Sequence, residues 1–187
     1  MTTRRKYPFP WRILHLLIAA LVLTLIPVGL WMASRGAAGI FDTLTNSLYS
    51  LHKTIGFTVL SLMIVRVLVK VSMAAPAYPQ SMSRATVVAA RSLHHVLYLL
   101  LFITPLLGWA GVTAFPALDI AAGISLPALP LVPQDEELAA RLFQIHGVFA
   151  VTLAILLLGH VAAALQHLLR RDGVFQRMWF SRQISDE

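Results

Sequence analysis

The chain has 187 residues, of which 58% are hydrophobic and only 12% charged, against about 25% charged in soluble domains. This composition argues against an ordinary soluble domain and points to lipid. The net charge of +7 does not signal nucleic acid, since the basic residues cluster at the ends of apolar runs, and the absence of cysteine excludes disulfides, Cys-ligated iron–sulfur clusters and the C-x-x-C-H attachment of haem.

Four apolar stretches predict a four-helix transmembrane bundle, an all-α membrane protein, with spans near residues 11–33, 49–71, 91–114 and 142–169. Each reaches the roughly 20 residues that a spanning helix needs. Pro8 and Pro10 precede the first span, a suitable helix start. Its apolar run is longer than a signal peptide core, so it is expected to be retained. Ser34-Arg35-Gly36 reads as its stop. The second span carries Lys53, Arg66 and Lys70 near its ends, where long basic side chains snorkel to the interface. A loop over 72–90 with Pro76, Pro79 and Arg84 leads to the third span, where Pro105 is an expected kink. The loop 115–141 holds four prolines and the acidic run Asp135-Glu136-Glu137. Its apolar part is expected at the interface or folded back on the bundle. There are no internal repeats, and residues 1–187 read as a single membrane domain.

Basic residues set the expected orientation. One side carries Arg4, Arg5, Lys6, Arg12, Arg66, Lys70, Arg84, Arg91, Arg170, Arg171, Arg177 and Arg182. The other has Arg35, Lys53 and Arg141, diluted by acids. Both termini are therefore expected in the cytoplasm.

Four histidines lie inside the spans, and ionisable groups at such depth are costly and usually functional. His146 and His160 share the last span, 14 residues apart. Fourteen residues of α-helix rise about 21 Å and turn almost four times, so both imidazoles face nearly the same way at different depths. Helix direction puts His15 and His160 near the cytoplasmic face, and His52 and His146 near the outer face. Each pair can supply two axial ligands from facing helices, as bundles commonly build cofactor sites. Zinc and copper would want more ligands, often with carboxylate or thiolate. Two bis-histidine haems stacked across a membrane fit better, and they imply electron transfer. His94 and His95 open the third span, and His167 follows His160 by seven residues. His95 or His167 could replace one member of the inner pair. Gly29, Gly56, Gly147 and Gly159 are candidates to line the slots, or simply to let helices pack closely.

The segments Arg12-Ile13-Leu14-His15, Leu51-His52-Lys53-Thr54-Ile55-Gly56, His94-His95-Val96-Leu97-Tyr98, Gln144-Ile145-His146-Gly147 and Gly159-His160-Val161-Ala162-Ala163-Ala164-Leu165-Gln166-His167 resemble the bacterial cytochrome b561 family. The resemblance covers about residues 7–180. Its members typically place Trp after the first ligand, where this chain has Leu16. The resemblance implies two haem b groups, one between spans one and four and one between spans two and four. It also implies a bacterial inner-membrane location and a quinone, ubiquinone by analogy, as redox partner. Some members are described as oxidising superoxide outside and passing the electron to ubiquinone.

The expected activity is thus an oxidoreductase or electron carrier between an outer donor, superoxide being one candidate, and membrane quinone. Both irons would be six-coordinate, so substrates would react at a haem edge. Lys53 and Arg141 could attract an anion or pair with haem propionates. Arg12, Arg91, His94, His95 and His167 could serve propionates or a quinone at the inner end. A rival reading is a haem b anchor subunit for a partner dehydrogenase or periplasmic redox protein; the short loops favour a self-contained unit. A non-redox transporter with histidine proton carriers would be colourless.

Overall fold

A computed structural model describes residues 6–79, 82–120 and 123–180. Its four long helices are α1 (Phe9–Ala37), α2 (Thr43–Ser72), α3 (Arg84–Ala114) and α4 (Glu136–Leu169). All four are long and apolar enough to cross a membrane. A short 3-10 turn, Phe175–Arg177, follows. The expected basic residues Arg4, Arg5 and Arg182 lie outside the described residues.

α2, α3 and α4 begin earlier than hydropathy suggests because capping residues, not the lipid boundary, set their starts. Asp42 accepts from Thr45 N–H at 2.9 Å and opens α2 six residues ahead of the apolar run. Ser83 accepts from Thr86 N–H and brings Arg84 into α3. Asp135 accepts from Leu138 N–H, with Glu136 and Glu137 in the first turn of α4. Side-chain caps satisfy amide groups that an unassisted helix end leaves open, and acids suit its positive dipole. α3 runs through Pro105 as one continuous helix, and α1 likewise runs through Pro27.

Backbone approaches join α1 to α2, α2 to α3 and α3 to α4, while α4 hardly approaches α1 or α2. The space between them is crossed by side chains. One buried cluster, Ile18, Val22, Val59 and Met63, ties α1 to α2 and takes in Tyr98 and Leu101 of α3. A second, Leu97, Leu100 and Leu153, ties α3 to α4. Large exposed apolar side chains line the outer faces of the spans, among them Leu23, Leu30, Leu68, Ile155 and Leu158. On a soluble protein such a surface would drive association; on spans of this length it meets lipid.

At the end of the bundle where the termini meet, residues 170–180 form a latch. Arg177 is buried, donates to Ala77 O at 2.7 Å and lies over the Tyr7 ring, while Tyr7 N–H donates to Arg177 O. Arg12 donates to Trp179 O at 3.1 Å. His167 and Asp172 pair at 2.5 Å, and Asp172 also accepts from Val174 N–H. These contacts hold the Asp172 carboxyl below its ordinary value against the raising effect of burial. At the far end, residues 115–120 and 123–135 fold back on the bundle, one of the two expected placements. Trp109 Nε1 donates to Pro127 O, Leu129 N–H to Thr113 Oγ1, and Lys53 Nζ to Ala117 O at 2.8 Å.

Candidate functional site

Two histidine clusters occupy two levels of the bundle, and each draws on all four helices. At the level nearer the termini, the His15 ring of α1 and the His160 ring of α4 have centroids 6.0 Å apart with planes at 85°. At the far level, His52 of α2 and His146 of α4 have centroids 6.1 Å apart at 79°. Both pairs bridge helices whose backbones do not pack together. Two metal–imidazole bonds of about 2 Å each, with roughly 1 Å more from nitrogen to ring centre on each side, separate ring centres by about 6 Å. Both pairs have that separation.

The far pair is shaped by glycines. A Cβ on Gly29 of α1 would stand 2.9 Å from His52 Cε1, and one on Gly108 of α3 would stand 3.2 Å from His146 Cε1 and Nδ1. Gly29 was a sequence candidate; Gly108 was not, since nothing in its spacing ties α3 to a histidine of α4. Gly56, Gly147 and Gly159 face open space. His146 Nδ1 lies 2.8 Å from Thr104 O. A carbonyl only accepts, so Nδ1 donates and the Nε2 lone pair is left for a ligand. His52 Nδ1 is buried with no protein partner, so the protein fixes neither nitrogen of that ring as the proton carrier.

The pair nearer the termini has different neighbours. Arg66 of α2 donates from Nη2 to His15 Nδ1 at 3.2 Å and from Nε to Tyr98 OH at 2.8 Å. Lys70 lies over the Tyr98 ring, 4.5 Å from its centroid. His94 brings its ring centroid to 5.3 Å from that of His160. Thus His94, rather than His95 or His167, is the third histidine of this level; His167 is engaged by Asp172. One residue of register on α3, about 100° of rotation and invisible in hydropathy, separates His94 from His95. Cavities flank the pair: one of about 160 Å³ lined by Ala19, Leu23, Ala164 and Phe175, another of about 60 Å³ lined by Val22, Arg66, His94 and Leu97. A flat apolar ligand held between the two rings would extend into such spaces.

Among the described residues no group of three or more His, Asp or Glu side chains is placed to hold a metal ion. The basic residues proposed for the far end are engaged: Lys53 with Ala117 O, Arg141 with Glu137 one turn earlier, and Arg35 with Asp42 at 2.5 Å. The ring separations fit two bis-imidazole haem sites; at the level nearer the termini His15 would have to give up the Arg66 hydrogen bond at Nδ1, or lose its proton, to ligate a metal.

Comparison with known proteins gives the family. Residues 6–181 match the family model of the prokaryotic cytochrome b561. Cytochrome b561 homolog 2 of Escherichia coli (strain K12) is 30% identical over 167 residues, covering 88% of this chain and 86% of the relative. The protein is a multi-pass, all-α membrane protein, and the chain belongs to the prokaryotic cytochrome b561 family, whose members transfer electrons across membranes through haem b.

Proposed function

We propose that residues 1–187 form one di-haem domain of the bacterial inner membrane, with both termini cytoplasmic. His15 and His160 are the axial ligands of the cytoplasmic-side haem, and His52 and His146 those of the outer haem. The observation that carries this reading is the pair of imidazole contacts at 6.0 and 6.1 Å, built on one helix 14 residues apart. A bound haem b supplies a reversible one-electron iron centre. The protein supplies the rest. α4 spaces the two sites by about 21 Å along its axis, on the order of two-thirds of the hydrocarbon core. If the two imidazoles of each pair hold the iron, substrates would exchange electrons with the haem without binding to the metal.

Electrons would pass between a donor on the outer side and ubiquinone in the membrane. The charge of the far end bears on the donor. Three basic residues there (Arg35, Lys53, Arg141) stand against five acids (Asp42, Asp119, Asp135, Glu136, Glu137), a formal balance of −2. Such a surface favours a cationic periplasmic redox protein over superoxide by electrostatic attraction. This observation keeps the second reading in play, a haem b subunit that exchanges electrons with a partner protein. The experiment is reconstitution in vesicles containing ubiquinone with an electron acceptor trapped inside. Reductant added outside should reduce the trapped acceptor only when His52 and His146 are both intact. Equal transfer by the His146→Ala protein would defeat the proposal. Saturable transfer from a cationic donor protein that weakens with salt would select the second reading.

A further inference from the structure

The level nearer the termini gathers two cations without a matching anion. Arg66 and Lys70 stand one turn apart on α2 and converge on Tyr98 of α3. Arg66 Nε donates to Tyr98 OH at 2.8 Å, and Lys70 Nζ lies 4.5 Å from the centroid of the Tyr98 ring. Like charges at that spacing on a helix repel. The other partners of Arg66 are Trp11 O at 3.5 Å and His15 Nδ1 at 3.2 Å, neither of them an anion. Among the described residues neither cation has an ion pair. α1, α2 and α3 contain no Asp or Glu, and those of α4 are Glu136 and Glu137 at the far end. Asp172 is taken by His167. Membrane orientation asks only for basic residues beyond a span end. It does not ask for an arginine turned onto a histidine of the neighbouring helix. Arg66, Tyr98 and His94 share the wall of the cavity of about 60 Å³ beside the His15–His160 pair.

The Arg66 contact and ligation by His15 exclude each other. Arginine has no acceptor, so Nδ1 of His15 accepts and the neutral ring carries its proton on Nε2. To offer Nε2 to a metal, the ring must give up that proton and take one at Nδ1, with no net change in protons. Nδ1 is open to a proton only once Arg66 has turned away. A guanidinium at this depth then needs another acceptor, and a carboxylate serves it best. Haem b carries two propionate carboxylates. Arg66 and Lys70 answer them in number and in sign, and both side chains already lie against one tyrosine beside the cavity.

Building on the di-haem reading, we propose that Arg66 and Lys70 are the propionate receptor of the His15–His160 site, and that Arg66 exchanges His15 for a propionate when His15 ligates. Tyr98 steers the exchange, since it holds Arg66 through Nε and leaves the Nη groups to change partner.

The test uses the purified holoprotein in the His146→Ala background, which retains the His15–His160 site. Release of haem to an acceptor protein and the propionate bending bands of the resonance Raman spectrum are read together. Arg66→Gln and Lys70→Gln should each release the inner haem on the order of 10–100-fold more readily, the worth of a hydrogen bond to a charged group, and each should shift its propionate bands. Arg66→Lys, which keeps the charge, should recover part of the retention. With His146 intact, the outer haem should be retained as in the wild type. Retention of the inner haem by Arg66→Gln as firm as in the parent, or firmer, would overturn the proposal, because Arg66 would then only compete for His15. So would faster release with unshifted propionate bands, which would leave Arg66 on His15 as the partner of an imidazolate or in a structural role. If Arg66→Gln binds no inner haem, Lys70→Gln decides, since Lys70 does not bond to His15: unchanged release and unchanged bands there refute the receptor. Two haems in the wild type with either refuting result overturn this inference alone. A wild-type protein without two haems would overturn the functional reading and this inference with it.

Discussion

Replacing Gly29 with alanine is expected to empty the outer site without harming the helix. In an exposed helix interior the change would add up to about 1 kcal/mol of helix propensity. Here the new Cβ would stand 2.9 Å from His52 Cε1 and 3.3 Å from Nδ1. Carbon contacts settle near 3.5–4.0 Å, so the imidazole must retreat by roughly half an ångström or more. Ligand constellations tolerate only about 0.5 Å of displacement before they lose their geometry. A ligand shifted out of line typically costs about 10–100-fold in affinity, on the order of 1.4–2.8 kcal/mol. The loss exceeds the propensity gain and falls on one site. Pyridine haemochrome counts and haem transfer to an acceptor protein should show the His52–His146 haem released about 10–100-fold more readily, with the other haem retained. Full occupancy with wild-type retention at both sites would refute the reasoning that Gly29 exists to admit the His52 ring.

Gly108→Val should act similarly on His146, whose Cε1 and Nδ1 lie 3.2 Å from the Cβ position, and should also strain the Thr104 hydrogen bond; the outer haem band in the reduced spectrum is the readout. Lys53→Met removes the donor to Ala117 O, so protease sensitivity of the 115–135 segment should rise while both haems remain. The Asp42 carboxyl is held down to about 2 by the Thr45 N–H it accepts and by Arg35 beside it. Its folded value lies below the ordinary 3.8, so its stabilisation is present above that value and is lost as pH falls toward about 2. Thermal melts of the detergent-solubilised protein should therefore drop over that window, and Asp42→Asn should flatten the drop.

The four spans were legible because a bilayer demands about 20 apolar residues and the chain supplies them four times. The closeness of His15 to His160 and of His52 to His146 was legible for a related reason: helix direction converts sequence position into depth. Rotation about the helix axes was not legible. Whether His94 or His95 turns toward His160 depends on one residue of register, about 100° of rotation at 3.6 residues per turn. The reach of Arg66 to His15, and of Thr104 O and Gly108 to His146, depends on how α2 and α3 face their neighbours, which no single-helix periodicity records. The early helix starts were encoded in Asp42, Ser83 and Asp135, cap residues that hydropathy overlooks. The latch over residues 170–180 had no signal beyond its basic residues, because its contacts join segments far apart in sequence, as Arg177 to Ala77 does.

The central claim is that two imidazole pairs hold two haems. The most direct measurement is the pyridine haemochrome count with the dithionite-reduced minus oxidised spectrum, taken for the wild type, His146→Ala and His160→Ala. The account predicts a low-spin b-type spectrum with about two haems per chain in the wild type and one in each variant, with a different component lost in each. A colourless wild type, or a haem count unchanged by both substitutions, would contradict it.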